Sequence, residues 1–306
     1  MPEPLAQGTP PGPDRARPHR ASILLAEARV LAVDAHDGEQ CVMRLECPTI
    51  AARALPGSFV HLRCGPALDM RRPMSVMRAS ARGGWLDMLF KVHGRGTREL
   101  AARAVGDSVS VLGPIGRPFR LGGWRRRPLL IGGGVGIPPM IFLAEHMRAA
   151  GESVDPLVLM GSEVPFPFQP RPSRLMVPGI DAATIAAMPL LDDWGIASRL
   201  ASGREQPGCH GGFVTDLARA WLTRSGVPHA EVEIHACGPT PMLRAVQALA
   251  AEFALPAQLS LEEYMACAVG GCAGCTVRVT TAAGPAMKRV CVDGPVFEAS
   301  EVELPA

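Results

Sequence analysis

The sequence predicts a multi-domain chain: an antiparallel β-barrel, then an α/β domain built on a parallel sheet, then a small C-terminal module organised by cysteines. Three observations predict it. Six short strand-like segments, punctuated by Gly and Pro, fill residues 21–123 and read as a barrel. After Trp124 strands alternate with helices, the grammar of a parallel sheet. Near the C-terminus Cys267, Cys272 and Cys275 are spaced C-x4-C-x2-C, and Cys291 follows after fifteen intervening residues. The expected boundaries are 1–20 for a tail, 21–123 for the barrel, 124–258 for the α/β domain and 259–306 for the cysteine module.

Residues 1–20 hold six prolines and few large apolar side chains, so they are expected to be a disordered tail. The six barrel segments are Ser22–Val33, Gln40–Leu45, Ser58–Cys64, Met74–Ala79, Trp85–Val92 and Ser108–Leu112, with a helix expected at Thr97–Ala104. In the second domain, Pro128–Ile131, Val154–Met160 and Glu231–Ala236 read as buried strands. Pro139–Ala150 reads as a helix stopped by Gly151, and Thr215–Thr223 as one capped by Thr215 or Asp216. A third helix is expected at Pro241–Phe253 with Thr240 as its cap. Two stretches resist the scheme. Glu163–Pro178, with five prolines, reads as an extended surface loop, and 186–212 carries no clear period.

Composition narrows the function classes. With 47% hydrophobic and 20% charged residues over 306 positions, the chain can bury two or three cores. A net charge of +2 argues against nucleic acid as a partner, and Arg125-Arg126-Arg127 is too short a run to change that. The most apolar stretch, Leu129–Ala144, is broken by glycines and prolines and cannot span a membrane. No basic segment followed by an apolar core opens the chain, so a cytoplasmic location is expected.

Three motifs carry candidate binding chemistry. Arg72-Pro73-Met74-Ser75 starts a strand, and Lys91-Val92-His93-Gly94-Arg95-Gly96-Thr97 ends one and opens a helix about twenty residues on. Alone, the first would be an edge strand with a proline start. Together they describe a cradle for FAD: Ser75 can hydrogen-bond a flavin ring nitrogen. The Arg72 guanidinium and the helix start after Gly94 and Gly96 can hold the diphosphate, with Lys91, Val92 and Thr97 alongside. The second motif, Gly132-Gly133-Gly134-Val135-Gly136-Ile137-Pro138-Pro139, follows a strand and opens a helix. Four glycines in five positions exceed what a plain βα turn needs, and Gly134, Gly136 and Pro139 become candidates for a dinucleotide pyrophosphate site. The third, Cys237-Gly238-Pro239, sits at the C-terminal end of a parallel strand, where α/β sheets place ligands; a capped helix start reads it equally well.

The four cysteines match the plant-type spacing for a [2Fe–2S] cluster. Only Ala, Val and Gly lie between the first three, so a tight loop can wrap an inorganic core with its N–H groups toward sulfur. A structural zinc site is the alternative, but zinc usually takes two short C-x-x-C-like arms. Disulfides are disfavoured by nine cysteines, an odd number, and no export signal. Hydride transfer needs no acid–base pair, so no catalytic residue is named, and His61, His93, His146 and His235 are read as structural or surface groups.

In this order, the motifs resemble the ferredoxin–NADP reductase superfamily. Ser260-Leu261-Glu262-Glu263, Met265-Ala266-Cys267 and Cys291-Val292-Asp293-Gly294-Pro295-Val296-Phe297 resemble the electron-transfer subunits of dihydroorotate dehydrogenase B in particular, and the resemblance covers about residues 21–300. It implies a flavoprotein oxidoreductase with FAD on the barrel, NAD(P) as co-substrate on the α/β domain and a [2Fe–2S] cluster on the four cysteines. It also implies a separate FMN-containing dihydroorotate dehydrogenase catalytic subunit, joined in a heterotetramer and serving pyrimidine biosynthesis. A reductase subunit serving another partner (a hydrogenase, a ferredoxin-dependent transhydrogenase or an oxygenase) or a non-catalytic redox sensor are the competing readings. The chain departs from the family at Ala268, where the usual loop reads Cys-Gly-Ile-Gly-Ala-Cys, at Tyr264, in the prolines of 163–178 and in the segment before Gly212.

Overall fold

A computed structural model describes residues 23–151 and 153–305; the expected tail, 1–20, lies outside them. The first domain consists of β1 (Leu24–His36), β2 (Gln40–Glu46), a short α1 (Pro48–Ala51), β3 (Phe59–Leu62), β4 (Arg72–Ser80), β5 (Trp85–Lys91), α2 (Gly94–Ala101) and β6 (Ser108–Ile115). The six strands close into an antiparallel barrel in the order β1-β2-β5-β4-β3-β6. Alternation explains the wall: along β4, Met74 and Val76 point into the barrel core with Val60, Leu62, Met88 and Val111. Pro73 and Ser75 occupy the other face.

The second domain runs β7 (Arg127–Gly133), α3 (Ile137–Ala150), β8 (Leu157–Ser162), β9 (Arg171–Pro172), β10 (Ala186–Ala187), α4 (Pro189–Asp193), β11 (Ala197–Ser202), β12 (His210–Gly211), α5 (Val214–Arg224), β13 (Val232–Cys237), α6 (Thr240–Glu252) and β14 (Ala257–Ser260). Its sheet has the order β12-β11-β8-β7-β13-β14-β17, parallel throughout except for β17 (Val296–Glu298), which returns from the C-terminal region to pair antiparallel with β14. The chain reverses its direction of winding between β7 and β13, and a ligand crevice opens outside the strand ends at such a point. The last elements are β15 (Thr276–Thr281), β16 (Gly284–Arg289), α7 (Val290–Asp293), β17 and β18 (Val302–Glu303), with β16-β15-β18 forming a small sheet. This module shares its core with the α/β domain: Cys275, Val290 and Cys291 are buried in one cluster with Leu243, Leu259 and Phe297.

Three regions fix the domains together. On α3, Phe142 enters the barrel core and Glu145 pairs with Arg78 of β4 at 2.6 Å. In the linker, the N–H of Arg117 reaches the carbonyl of Gly294, that of Phe119 reaches Pro56, and Arg120 pairs with buried Glu233 on β13. The proline-rich stretch 163–178 is more than a surface loop. Its Phe166 is buried against Phe168, Gln40 of the barrel donates to the carbonyl of Pro165 at 2.6 Å, and β9 pairs with β10.

Some local expectations change. The helix at 240–252 starts one residue early, with Pro239 in the cap position and no side-chain cap bond from Thr240. The helix at 214–224 is likewise preceded by Phe213 rather than a polar cap. In both, Pro or tertiary packing sets the entry angle instead of a hydroxyl. The segment 186–212 hides β11, an interior strand of the sheet. Its Arg199 obscures the apolar period, yet Arg199 is buried because it donates to the carbonyls of Ser198 and Leu175 at 2.7 Å each.

Candidate electron-transfer site

At the open end of the barrel, Arg72 begins β4 and lies over the first turn of α2. A Cβ on Gly96 would meet the Arg72 Nε at 3.3 Å and the Cys64 Sγ at 3.2 Å, so glycine is what lets the guanidinium settle there. Arg72 Nη1 donates to the carbonyls of Met70 and Arg71 at 3.0 and 3.1 Å, which leaves the other donors of its fork for a ligand. Gly94 adopts φ +79, and Thr97 closes the loop through two 2.7 Å bonds with the backbone of His93. The Thr97 hydroxyl therefore braces the loop. Lys91 is exposed and Val92 half-buried at the strand end.

Across the domain seam, the Gly-rich turn after β7 meets the turn after β13. A Cβ on Gly136 would lie 2.3 Å from the Cys237 carbonyl oxygen and 2.5 Å from the Gly238 nitrogen, and one on Gly133 would strike Met242. Only glycine lets these backbones touch. Gly134 is at φ +54, Pro139 is buried in the first turn of α3, and Pro239 is exposed beside the crevice.

Two residues join this site that the motif reading did not single out for binding. Cys237 ends β13, and its register partner on β14 is Ser260. Burial, and then the carboxyl of Glu262, push the Cys237 thiol well up, while a hydrogen bond from Ser260 offsets part of this. Cys237 is thus a neutral thiol. Glu262 is surrounded closely enough that burial raises its carboxyl to about 7, while its side chain still opens to solvent. The available signal was positional: Glu262 lies two residues beyond a parallel strand end, beside Cys237.

Five residues further on, the chain enters the cysteine loop. Among the described residues, no three His, Cys, Asp or Glu side chains converge as a single ion would require. Cys267 faces Cys272 and Cys275 faces Cys291, and Cys267 is close enough to act on Cys291 as well. Two pairs suit two irons with two thiolates each. The loop is shaped for anionic sulfur. Cys267 Sγ accepts from the N–H groups of Gly271 and Cys272 at 3.3 and 3.4 Å, and Cys272 Sγ accepts from Gly274 at 3.4 Å. Burial alone would raise the Cys267 thiol; the hydrogen bonds outweigh it and pull the thiol to about 7. Burial and the neighbouring Cys275 push Cys291 up to about 12. The first pair is open to solvent and the second is buried, and beside the open pair Tyr264 is 95% and Val269 47% exposed.

Barrel, parallel sheet and thiolate loop in this arrangement define an electron-transfer oxidoreductase on the ferredoxin reductase fold. The solved NADH-dependent reduced ferredoxin–NADP oxidoreductase superposes with a TM-score of 0.71 at 24% identity, over 91% of this chain and 90% of that one. The ferredoxin reductase of carbazole 1,9a-dioxygenase does so with 0.57 at 23% identity, over 76% and 65%. Residues 262–303 match the model of the iron-sulfur cluster binding domain of dihydroorotate dehydrogenase B. The dihydroorotate dehydrogenase B (NAD(+)) electron transfer subunit of Desulforamulus reducens is 31% identical over 90% of this chain and 97% of its own length. That of Bacillus caldolyticus is 36% identical over 81% and 87%. The chain belongs to the family of dihydroorotate dehydrogenase B electron transfer subunits. None of its described helices is long and apolar enough to cross a membrane.

Proposed function

We propose that this chain carries electrons between an FMN-containing, dihydroorotate-oxidising catalytic subunit and NAD(H), using FAD and a [2Fe–2S] cluster, in the cytoplasm. When bound, FAD exchanges hydride with nicotinamide and single electrons with the cluster. The protein supplies position. Arg72 and the α2 start with Gly94, Gly96 and Thr97 hold the FAD diphosphate, and Pro73, Met74 and Ser75 border its ring. Gly134, Gly136 and Pro139 receive the dinucleotide, and Cys237 to Pro239 close its nicotinamide end beside Glu262. Cys267, Cys272, Cys275 and Cys291 ligate the cluster.

One observation carries the reading. The segment that leaves the nicotinamide cleft at Glu262 becomes the ligand loop at Cys267, within ~18 Å even if fully extended. Buried Met265 between them packs in the core that holds Cys275 and Cys291. The open cysteine pair, Tyr264 and Val269 form the face offered to the catalytic subunit. Co-expression with an FMN-containing dihydroorotate dehydrogenase subunit tests this. The expected result is a stable complex that reduces NAD with dihydroorotate and loses that activity, but keeps its FAD, when Cys275 is changed to Ser. A chain purified with zinc and no flavin would contradict it.

A further inference from the structure

Arg289 ends β16 immediately before α7, the short helix that carries Cys291. Its Nη1 donates to the carbonyl of Gly270 at 2.8 Å. Gly270 lies midway between Cys267 and Cys272 and adopts φ +81. A Cβ there would meet Val292 of the Cys291 arm at 3.0 Å, so loop and arm are packed at that point. Arg289 is anchored on its other side by Asp293, whose Oδ2 accepts from the Arg289 backbone N–H at 2.9 Å and lies 3.6 Å from Nε. One side chain therefore ties together the two stretches that present the thiolates.

The loop requires such a tie. Ala268 and Ala273 sit at φ +56 and +54, a left-handed conformation that residues with a Cβ rarely adopt. Neither is glycine, so the loop is held in a backbone conformation that its residues do not favour. Inside the loop, Cys267 Sγ takes N–H bonds from Gly271 and Cys272, and Cys272 Sγ takes one from Gly274; Gly270 also turns its N–H to the Cys291 Sγ, and Arg289 holds that same residue by its carbonyl.

We propose that Arg289 is the positioning residue of the cluster site: its guanidinium latches the Cys267–Cys275 loop to the Cys291 arm and sets a permanent positive charge beside the cluster. This rests on the four cysteines being the cluster ligands. Two consequences follow. Residues that orient metal ligands are worth about 10–100-fold in metal retention when removed. A fixed positive charge favours the more negative, reduced cluster, so its loss moves the reduction potential downward. Lysine would keep the charge, but it lacks the planar fork that reaches Gly270 and Asp293 together.

The test uses the full chain, purified anaerobically with FAD and cluster, as wild type, R289Q, R289K and R278Q. Arg278 is an exposed residue of the same small sheet, paired with Glu303, and controls for charge alone. Iron release to a chelator and the cluster midpoint potential from electron paramagnetic resonance are measured, with FAD content as the check on folding. R289Q is expected to release iron about ten-fold faster or more and to shift its potential negative. R289K is expected to release iron faster than wild type while its potential stays near the wild-type value, and R278Q to match wild type in both. Wild-type release from R289K, or an R278Q shift as large as that of R289Q, would overturn the proposal. Should R289Q assemble no cluster, the release rate of R289K decides alone. A wild-type preparation without iron would instead contradict the ligand assignment itself.

Discussion

The proposed nicotinamide cleft and the cysteine loop are built by opposite means, although only four residues separate Glu262 from Cys267. The cleft is made of regular strand ends brought together from across the chain. Gly136 from β7's turn touches the backbone after Cys237, and Cys237 pairs with Ser260 on β14. Its tolerances are steric. The loop is made of one contiguous stretch, bent through positive φ at Ala268, Gly270 and Ala273 and held by N–H···S bonds and one arginine. Its tolerances are conformational and electrostatic. On the proposed assignment a dinucleotide must enter and leave, which suits a rigid open cleft. A cluster stays, which suits a loop that wraps it.

Substitutions sharpen that contrast, beginning with the largest effect. Cys275→Ser should abolish the cluster, read as loss of iron, while FAD remains bound in the barrel; joint loss of both cofactors from a folded protein would mean the two sites are not independent. Gly136→Ala should come next. The new methyl cannot coexist with the Cys237 carbonyl 2.3 Å away, and overpacking of this kind costs about 1–3 kcal/mol, enough to weaken NADH binding about ten-fold or more with iron and FAD unchanged. Titration of NADH against the flavin absorbance reads this directly. Arg72→Ala should lower FAD retention on dialysis by about ten-fold, since a charge-assisted pair is worth ~1.5–3 kcal/mol; full occupancy would remove Arg72 from the diphosphate site.

Glu262 gives a pH-dependent test. Its carboxyl is raised by burial from the ordinary 4.5 to about 7. The folded chain then holds a proton that the unfolded chain has released, so this group's stabilising contribution is present at low pH and is lost as pH rises from 4.5 to 7. Glu262→Gln should flatten the melting temperature across that window and leave the variant the more stable protein at pH 8. An unchanged profile would remove burial as the influence that sets this carboxyl. The smallest effect belongs to the loop. Ala273 is exposed, so Ala273→Gly relieves a left-handed alanine without removing buried area, and should stabilise the cluster-free protein by ~1 kcal/mol. Ala268 is buried, and the same change there trades relief of strain against lost packing.

The same contrast explains what could be read from the sequence. The ligand loop is local, so spacing alone points to it. The barrel and the parallel sheet are legible because alternation and βα order are local too. Ser260 and Glu262 become part of a site through the pairing of β13 with β14, and the sequence offers only their position just past a parallel strand end as a signal. Strand β11 was hidden by Arg199, whose burial depends on carbonyls that fold against it from 175 and 198. Arg289 was silent for a similar reason, because its partner is a backbone carbonyl nineteen positions away.

The central claim is that the cleft and the loop form one path for electrons. Rapid mixing of the cluster- and FAD-loaded chain with NADH under anaerobic conditions, followed by freeze-quench paramagnetic resonance, tests it most directly. The account predicts bleaching of the flavin and then the signal of a reduced [2Fe–2S] cluster, in material containing about two irons per FAD. A flavin that bleaches while the cluster stays oxidised, at a potential NADH can reach, would contradict it.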